Sequence, residues 1–322
     1  MRPRRARIAA LAGLLAVTVA AAACGSNSGS GGGNAAAKNV TVAVLPVVDS
    51  AGFFIALKEG YFRQQGLNVT DKIVAQSTAA LASMVSGSVD IIGGGNYVSF
   101  IEAQTRGAVK LSLLADATAC APHTFSILTV PRTGIRTPAG LASKTVAVNL
   151  TNNIQTLAAN AVLKADGVNP SSVKYVAVPF PQMSSALAAG RVDAISVVEP
   201  FLTQAEKSLH ATEVSDQCAG PTASLPLSGY FTTQSWTQRN PATARAFQRA
   251  LEKGQALATS DPAMVRQILP SYSKISAQAA ANIGLGSYPS AFDGSRLQRI
   301  ADLMLSGGLL KSRFDANSMI FH

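Results

Sequence analysis

The sequence predicts an α/β protein made of two lobes. Short runs rich in β-branched residues alternate with helical stretches, which is typical of parallel β-α-β units. One such pattern recurs about a hundred residues later in the chain, so each copy predicts one small α/β lobe. The loops after the predicted strands are rich in Ser, Thr, Asn and Gly, and they predict a polar cleft where the lobes face each other.

Residues 1–23 are typical of an export signal. Four arginines within residues 2–7 precede the uncharged run 8–23, which is shorter than the roughly 20 residues of a membrane-spanning helix. Without this segment the formal net charge of the chain falls from +10 to +6. The remaining charges are scattered and form no basic stripe, so nucleic acid is not an expected partner.

Cys24 is predicted to carry a lipid anchor. Residues 21–24 read Ala-Ala-Ala-Cys and resemble a bacterial lipobox, in which the cysteine becomes the lipidated first residue of the mature protein. Residues 24–38 are mainly Gly, Ser, Asn and Ala, which predicts a flexible tether. The protein is therefore expected at the outer face of the bacterial cytoplasmic membrane, held by the lipid alone. Simple cleavage near Ala23 is the alternative.

Cys120 and Cys218 are the two cysteines that remain after Cys24. Export to an oxidising compartment predicts that they form a disulfide. The alternative is a thiol nucleophile, which would need a histidine partner. His123 lies three residues from Cys120, and the only other histidines, His210 and His322, lie in no recognisable motif.

The two copies of the repeat share the order helix, Gly-apolar-Asn, strand, helix, Gly-x-Val-Asp, strand. The first copy comprises residues 60–68, 73–75, 79–86 and 87–92, and the second comprises 161–169, 175–178, 183–189 and 190–195. The glycines at 66, 87, 167 and 190 follow helical stretches and are predicted to close them in the left-handed conformation. Asp90 and Asp193 begin strands and are predicted to be structural turn residues.

Five loops are expected at the carboxyl ends of strands. Strands are predicted at 40–45 and 144–148 ahead of the two copies, and helices at 52–65, 154–165 and 241–259. The loops are residues 46–52, 76–79, 93–96, 149–153 and 199–200. Helix N-termini present unpaired N–H groups at this edge of a parallel sheet, so these loops are predicted to bind the ligand.

Eleven residues in or beside these loops are candidate ligand contacts. They are Asp49, Ser50, Phe53, Ser77, Thr78, Asn96, Tyr97, Thr151, Asn152, Asn153 and Glu199. Helix capping is the alternative role for the polar residues that precede helices, and core or wall packing is the alternative for Phe53 and Tyr97.

Two groups among these candidates carry an expected chemistry. Residues 151–153 precede the helix 154–165, whose N–H groups could hold a sulfonate or carboxylate. Glu199 ends a strand at the cleft, where an isolated carboxylate is costly, so it indicates an ammonium or ring N–H on the ligand. A solvated acid or an ion pair is the alternative for Glu199.

With these residues in view, the chain resembles the solute-binding lipoproteins of the nitrate, sulfonate and taurine type, a group that includes thiamine-precursor binders of ABC importers. Residues 56–62, 66–67, 87–90 and 186–200 carry the resemblance. It implies a type II periplasmic-binding-protein fold, with two α/β lobes joined by a two-segment hinge and a ligand cleft between them. Lobe 1 is expected at 39–130 plus 232–322 and lobe 2 at 131–231, with crossings near 129–133 and 228–233.

The resemblance implies a monomeric protein that captures a small organic anion of the sulfonate or taurine type; whether the ligand is instead nitrate is left open. It would deliver this solute to the permease and ATPase subunits of an ABC importer, with no enzyme activity, cofactor or metal. A thiamine-precursor pyrimidine is the alternative cargo. The alternatives of other classes are a desulfinase-like hydrolase on the same fold and a ligand sensor for a membrane receptor.

Overall fold

The computed structural model describes residues 37–322. The predicted signal peptide, the lipidation site at Cys24 and tether residues 24–36 lie outside the described residues. Among the helices between residues 37 and 322, none is long and apolar enough to cross a membrane.

Ten strands and thirteen α-helices alternate along this part of the chain. The strands are β1 (Lys38–Val44), β2 (Leu67–Ile73), β3 (Ile91–Asn96), β4 (Leu111–Ala119), β5 (Phe125–Thr129), β6 (Thr145–Val148), β7 (Lys174–Ala177), β8 (Ala194–Val198), β9 (Thr212–Asp216) and β10 (Pro226–Thr233). The helices are α1 (Ala51–Lys58), α2 (Tyr61–Gln64), α3 (Leu81–Val85), α4 (Tyr97–Thr105), α5 (Ile154–Ala165), α6 (Phe180–Ala188), α7 (Phe201–Leu209), α8 (Gln234–Arg239), α9 (Pro241–Ser260), α10 (Pro262–Ile268), α11 (Pro270–Ser273), α12 (Ala277–Ala280) and α13 (Gly294–Ser306).

The strands form two five-stranded sheets of the same design, with the orders β2-β1-β3-β10-β4 and β7-β6-β8-β5-β9. In each sheet the first three strands are parallel, and the fourth runs antiparallel to both of its neighbours. We call the first sheet with its helices lobe 1 and the second sheet with its helices lobe 2. Each fourth strand begins just after the chain has crossed from the other lobe.

The crossings lie earlier in the chain than predicted. β5 pairs with β8 of lobe 2, and β10 pairs with β3 of lobe 1, so the chain crosses at 120–124 and 217–225. The predicted crossings at 129–133 and 228–233 are therefore wrong, because the crossing strands are inserted directly into the opposite sheet. A disulfide between Cys120 and Cys218, whose Cα atoms are 5.1 Å apart, joins the two crossings.

The repeat predicted from the sequence has the same local structure in both lobes. The glycines at 66, 87, 167 and 190 have φ angles between 71° and 82°, which confirms the predicted left-handed helix ends. Asp90 Oδ2 accepts a hydrogen bond from Thr41 N, and Asp193 Oδ2 accepts one from Thr145 N, each at 2.8 Å. Both aspartates therefore hold the start of a parallel strand, as their structural interpretation predicts.

Two predicted elements differ from those observed in lobe 1. The predicted strand at 73–75 is wrong, because the strand is β2, a largely exposed edge strand that lacks a continuous apolar run. The predicted helix at 52–65 is interrupted at Gly60, which has a φ of 71°. By contrast, the helix predicted at 154–165 has the observed bounds of α5.

The three glycines at 93–95 belong to β3 rather than to the predicted loop. Their missing side chains make room for two aromatic rings of the neighbouring strand β10. A Cβ atom at Gly93 would lie 2.7 Å from the Tyr230 ring, and one at Gly95 would lie 2.8 Å from the Phe231 ring. The strand therefore runs on to Asn96, which then begins α4.

Helix α9 packs against α1 on the outside of lobe 1, as predicted for the last helices. A Cβ atom at Gly254 of α9 would lie 2.1 Å from the carbonyl oxygen of Gly52, so this close approach requires glycine. Phe53 and Phe247 belong to the same buried apolar cluster. This packing fixes α1, and with it the preceding loop that faces lobe 2.

Candidate functional site

A cavity of about 50 Å³ lies between the two lobes. It is lined by Leu45, Val47, Asp49, Ser77, Gly94, Asn96, Phe125, Asn149, Asn153, Ile154, Gln155, Phe180, Val198, Leu227 and Ser228. The wall includes residues from four of the five loop segments predicted at strand ends, and Val198 ends the strand just before the fifth. The carboxyl edges of the two parallel strand sets therefore face each other across this cavity.

Asp49 of lobe 1 is the one ionisable residue among the described residues that line the cavity. Asp49 lies in a 3₁₀ turn between β1 and α1 and is only 8% exposed. The hydroxyl group of Ser228 in β10 donates a hydrogen bond to Asp49 Oδ2. Burial raises the pKa of the Asp49 carboxyl, and the hydrogen bond from Ser228 offsets part of that increase.

Lobe 2 contributes a buried network of amide side chains centred on Gln155. Gln155 Oε1 accepts hydrogen bonds from Asn149 N at 2.6 Å and from Asn153 Nδ2 at 3.0 Å, while Nε2 donates to Ser196 O at 2.6 Å. Asn153 Oδ1 caps α5 by accepting from the N–H groups of Gln155 and Thr156. Two of the N–H groups predicted to hold a sulfonate at the start of α5, those of Gln155 and Thr156, are thus engaged by Asn153.

Direct hydrogen bonds join the lobes around the cavity. Gln76 Nε2 of lobe 1 donates to Asn149 O of lobe 2 at 2.6 Å. Val48 N donates to Glu199 O at 3.1 Å on the same seam. Both lobes therefore contribute to the wall of the cavity and are hydrogen-bonded to each other at its rim.

Four of the predicted ligand contacts line this cavity: Asp49, Ser77, Asn96 and Asn153. Asn96 also caps α4, because its Oδ1 accepts a hydrogen bond from Ser99 N at 2.9 Å. Ser77 is 2% exposed. These residues are brought together from three loops of lobe 1 and one of lobe 2.

Other predicted contacts are buried inside lobe 1, away from the cavity. Ser50 Oγ donates to Leu45 O at 2.8 Å, which fixes the turn that carries Asp49. Tyr97 is fully buried and its hydroxyl donates to Asp116. Phe53 is also fully buried and packs edge-on against Phe54. Core packing, the alternative considered for Phe53 and Tyr97, is what the structure shows.

Three more predicted contacts lie on the surface or at its edge. Thr151 and Asn152 are exposed and line a separate groove beside α5, with a volume of about 1110 Å³. Thr78 is half-buried and is not among the lining residues of the interlobe cavity.

Glu199 is buried, but protein groups already satisfy its carboxylate. It accepts hydrogen bonds from Thr203 N at 3.1 Å, from Thr203 Oγ1 at 2.7 Å and from Gly284 N at 3.0 Å. Burial raises the pKa of this carboxyl, and these three bonds lower it in part. In this arrangement Glu199 caps α7 and ties it to lobe 1, rather than meeting a donor group of a ligand.

One aromatic and one polar lining residue that sequence reasoning missed come from the crossing strands, as does the apolar Leu227. Phe125 belongs to β5 and Ser228 to β10, the strands that enter each sheet after a crossing. No local pattern marks either position, because both face the cavity only through insertion of these strands into the opposite sheet. Asn149 was inside a predicted loop but was not selected as a contact. Within residues 37–322, no three His, Cys, Asp or Glu side chains are grouped as metal ligands.

Comparison with known proteins identifies the family. Residues 47–264 match the family described as NMT1/THI5 like. The chain belongs to this family. Comparison with curated protein sequences finds no significant match.

Solved structures show the same fold at low sequence identity. The alkanesulfonate-binding protein SsuA of Xanthomonas axonopodis pv. citri, bound to MOPS, superimposes with a TM-score of 0.73 and 18% identity over 88% of this chain and 98% of its own. The periplasmic nitrate-binding protein NrtA of Synechocystis PCC 6803 superimposes with a TM-score of 0.74 and 14% identity, over 88% of this chain and 84% of its own. The chain therefore has the predicted type II periplasmic-binding-protein fold.

The same fold is also used by an enzyme. The desulfurization enzyme DszB superimposes with a TM-score of 0.66 and 15% identity over 88% of this chain and 96% of its own. The fold is thus shared by solute-binding proteins and a catalyst, and the site has to distinguish them.

Proposed function

We propose that this protein is the extracytoplasmic solute-binding component of an ABC importer. It captures a small solute between its two lobes and delivers it to the permease. The observation that carries this proposal is the interlobe cavity, whose wall combines Asp49 and Asn96 of lobe 1 with Asn149 and Asn153 of lobe 2. A solute bound there contacts both lobes only in the closed form, so binding stabilises that form.

The size of the cavity supports a compact cargo. One water molecule needs roughly 10–15 Å³ of such space, so a cavity of about 50 Å³ holds only a few non-hydrogen atoms in this closed arrangement. A small solute of the taurine or sulfonate type fits this limit better than a pyrimidine ring. A thiamine-precursor pyrimidine requires the lobes to close less far.

A binding role is favoured over catalysis by the state of the cysteines. The disulfide between Cys120 and Cys218 leaves neither sulfur available as a nucleophile. The proposed location is the outer face of the cytoplasmic membrane, with Cys24 as the lipid anchor. The residues from 24 to 36 then provide a tether long enough for the lobes to reach a permease.

The proposal is tested by thermal unfolding of the purified protein, after a cycle of unfolding and refolding that removes bound solute. The compounds are taurine, alkanesulfonates, nitrate, bicarbonate and thiamine precursors. At one hundred times its dissociation constant, a ligand adds about 2.7 kcal/mol to the free energy of unfolding. This raises the unfolding midpoint by several degrees for a chain of this size.

A cavity-filling variant locates the site. Ser77→Leu fills the cavity from lobe 1 and is expected to abolish the midpoint shift. Ser208→Leu is the matched control, because Ser208 is exposed on α7 and lies outside the cavity. A shift that is equally large in Ser77→Leu means that the solute binds elsewhere, and the proposal is then wrong.

A further inference from the structure

The interlobe cavity presents one buried hydrogen-bond acceptor on each lobe that protein donors leave incompletely satisfied, and the first is the Asp49 carboxylate of lobe 1. Asp49 supplies a carboxylate, and none of the ion pairs within residues 37–322 involves it. The Ser228 hydroxyl donates to Asp49 Oδ2, and the Thr118 side chain lies near enough to lower the pKa of this carboxyl as well. No lysine, arginine or histidine is among the described residues that line the cavity.

The opposite wall presents a second acceptor without a partner. Asn149 is 4% exposed, and its Nδ2 donates to Ala75 O across the seam between the lobes. Among the residues from 37 to 322, nothing donates a hydrogen bond to Asn149 Oδ1. A buried carbonyl oxygen without a donor costs free energy, and a donor on a bound solute would remove that cost.

The amide side chains of lobe 2 that could hold an anion are already engaged with protein acceptors. Gln155 Nε2 donates to Ser196, and the amide of Asn153 donates to Gln155 Oε1. The Asn153 cap takes the N–H groups of Gln155 and Thr156, whereas that of Ile154 is not among those that it takes. A bare anion would therefore face the carboxylate of Asp49 without a cation and with few donors to compensate.

We propose that the cavity recognises its solute through an N–H donor group, an amine or ammonium, held between Asp49 of lobe 1 and Asn149 of lobe 2. This inference rests on the proposed solute-binding function and specifies its substrate class. The donor group bridges the lobes, so it couples recognition to closure. The Ser77 hydroxyl and Asn96 Nδ2 make no hydrogen bond within the described residues. They are available to donate hydrogen bonds to an acidic group on the same solute, such as the sulfonate of taurine.

The small volume of the interlobe cavity narrows the class of solute further. With room for only a few non-hydrogen atoms beside Asp49, the donor has to be a compact primary amine rather than a substituted one. A quaternary ammonium has no N–H and is excluded by the same geometry.

The test compares compounds of nearly equal size in which an ammonium group is replaced by a neutral hydroxyl group. Taurine is paired with 2-hydroxyethanesulfonate and glycine with glycolate, and nitrate serves as an anion without a donor. Dissociation constants are measured by calorimetry on the stripped and refolded protein. The amine member of a pair is expected to bind about tenfold more tightly or better, which is the usual effect of a hydrogen bond to a charged group.

Two variants connect this preference to the proposed residues. Asp49→Asn is expected to reduce the preference for the amine to less than about threefold, since a neutral amide no longer attracts a cation. Asp71→Asn removes the same charge from the edge strand β2, away from the cavity, and is expected to keep the full preference. Asn149→Ala tests the second acceptor from lobe 2, and it provides the answer if Asp49→Asn does not fold.

The outcomes separate this inference from the proposed function. Tight binding of nitrate or glycolate that is insensitive to Asp49→Asn overturns the donor inference and leaves solute capture intact. Mass spectrometry of small molecules released by unfolding the freshly purified protein gives an independent answer. A released solute without an N–H group also overturns the inference. If no compound binds and no solute is released, both the inference and the proposed function are wrong.

Discussion

The two lobes share a strand order and a set of hydrogen bonds around one aspartate, Asp90 in lobe 1 and Asp193 in lobe 2, which we call the clamp. They differ in the side chains that they present to the cavity. In lobe 1, Asp90 bonds to Thr41 N, and its carbonyl oxygen accepts from Thr232 Oγ1 at 2.6 Å. In lobe 2, Asp193 bonds to Thr145 N, and its carbonyl oxygen accepts from Thr129 Oγ1 at 2.8 Å. The repeated Gly-x-Val-Asp segment therefore joins three strands in the same way in both lobes.

The cavity walls of the two lobes are chemically different. Lobe 1 places the carboxylate of Asp49 there, with Asp116 buried behind it in β4. Lobe 2 places the amides of Asn149, Asn153 and Gln155 there. This contrast teaches that the duplicated frame fixes where the strand ends lie, whereas the loop sequences decide which groups a solute meets.

The largest expected effect comes from cutting the covalent link between the lobes. The disulfide spans 98 residues, and in the chain-entropy model a loop of this size contributes up to about 4.7 kcal/mol to the free energy of unfolding, although measured bridges often deliver less. Cys120→Ala with Cys218→Ala is therefore expected to lower that free energy by about 4 kcal/mol in urea titrations.

The oxidised parent protein in the same buffer is the control for the disulfide. A loss below about 1 kcal/mol would mean that packing between the lobes, rather than the disulfide, holds the crossings together.

The prediction with the second largest effect concerns Asp116, a buried acid of lobe 1. Burial raises the pKa of Asp116 from 3.8 to about 6, and the hydrogen bond from Tyr97 offsets only part of this increase. Because the folded pKa is the higher one, the contribution of Asp116 to stability is complete below pH 3.8 and is lost as the pH rises through 6.

Asp116→Asn is therefore expected to gain stability relative to the parent as the pH is raised from 4 to 8. The gain is about 2.4 kcal/mol, from roughly 1.4 kcal/mol for each pKa unit, because part of the full effect is already present at pH 4. Free energies of unfolding at the two pH values measure it, with Asp71→Asn on β2 as the control. A difference between Asp116→Asn and the parent that does not change with pH contradicts the assignment.

The prediction with the smallest expected effect compares Asp90 of lobe 1 with Asp193 of lobe 2. Removing a charged hydrogen-bond partner costs about 2 kcal/mol, so Asp90→Ala and Asp193→Ala are each expected to lower the free energy of unfolding by this amount. Asp90 should cost more, because its Oδ1 also accepts a hydrogen bond from Trp236 Nε1 at 2.8 Å.

The double variant tests whether the clamps are independent. The clamps have no residue in common and lie in separate sheets, so their effects should add within about 0.5 kcal/mol in denaturant titrations. A clearly non-additive result would show that the two sheets are energetically coupled through the lobe interface.

Local sequence signals predicted those elements whose stability is local. Helix α5 has a capping residue, Asn153, and an apolar stripe, and its bounds were predicted correctly. The edge strand β2 was misplaced, since an exposed edge needs no apolar run. The glycines of β3 were interpreted as a loop, although they make room for rings that arrive from β10.

The candidate site was predictable as a region but not residue by residue. The sequence placed polar loops at the strand ends, and Asp49, Ser77, Asn96 and Asn153 from those loops do line the cavity. It did not reveal that Glu199 would be satisfied by Thr203 and Gly284. The Gly284 bond spans 85 residues of chain, so no local pattern encodes it.

The sequence by itself determined two α/β lobes, the repeated clamp that frames each of them and the edge at which a ligand should bind. These features follow from hydrophobic period, glycine conformation and capping, which act over a few residues. Only the tertiary structure decided the chemistry of the cavity. Ser228 reaches Asp49 across 179 residues, and which acceptors find partners depends on how the two sheets exchange their fourth strands.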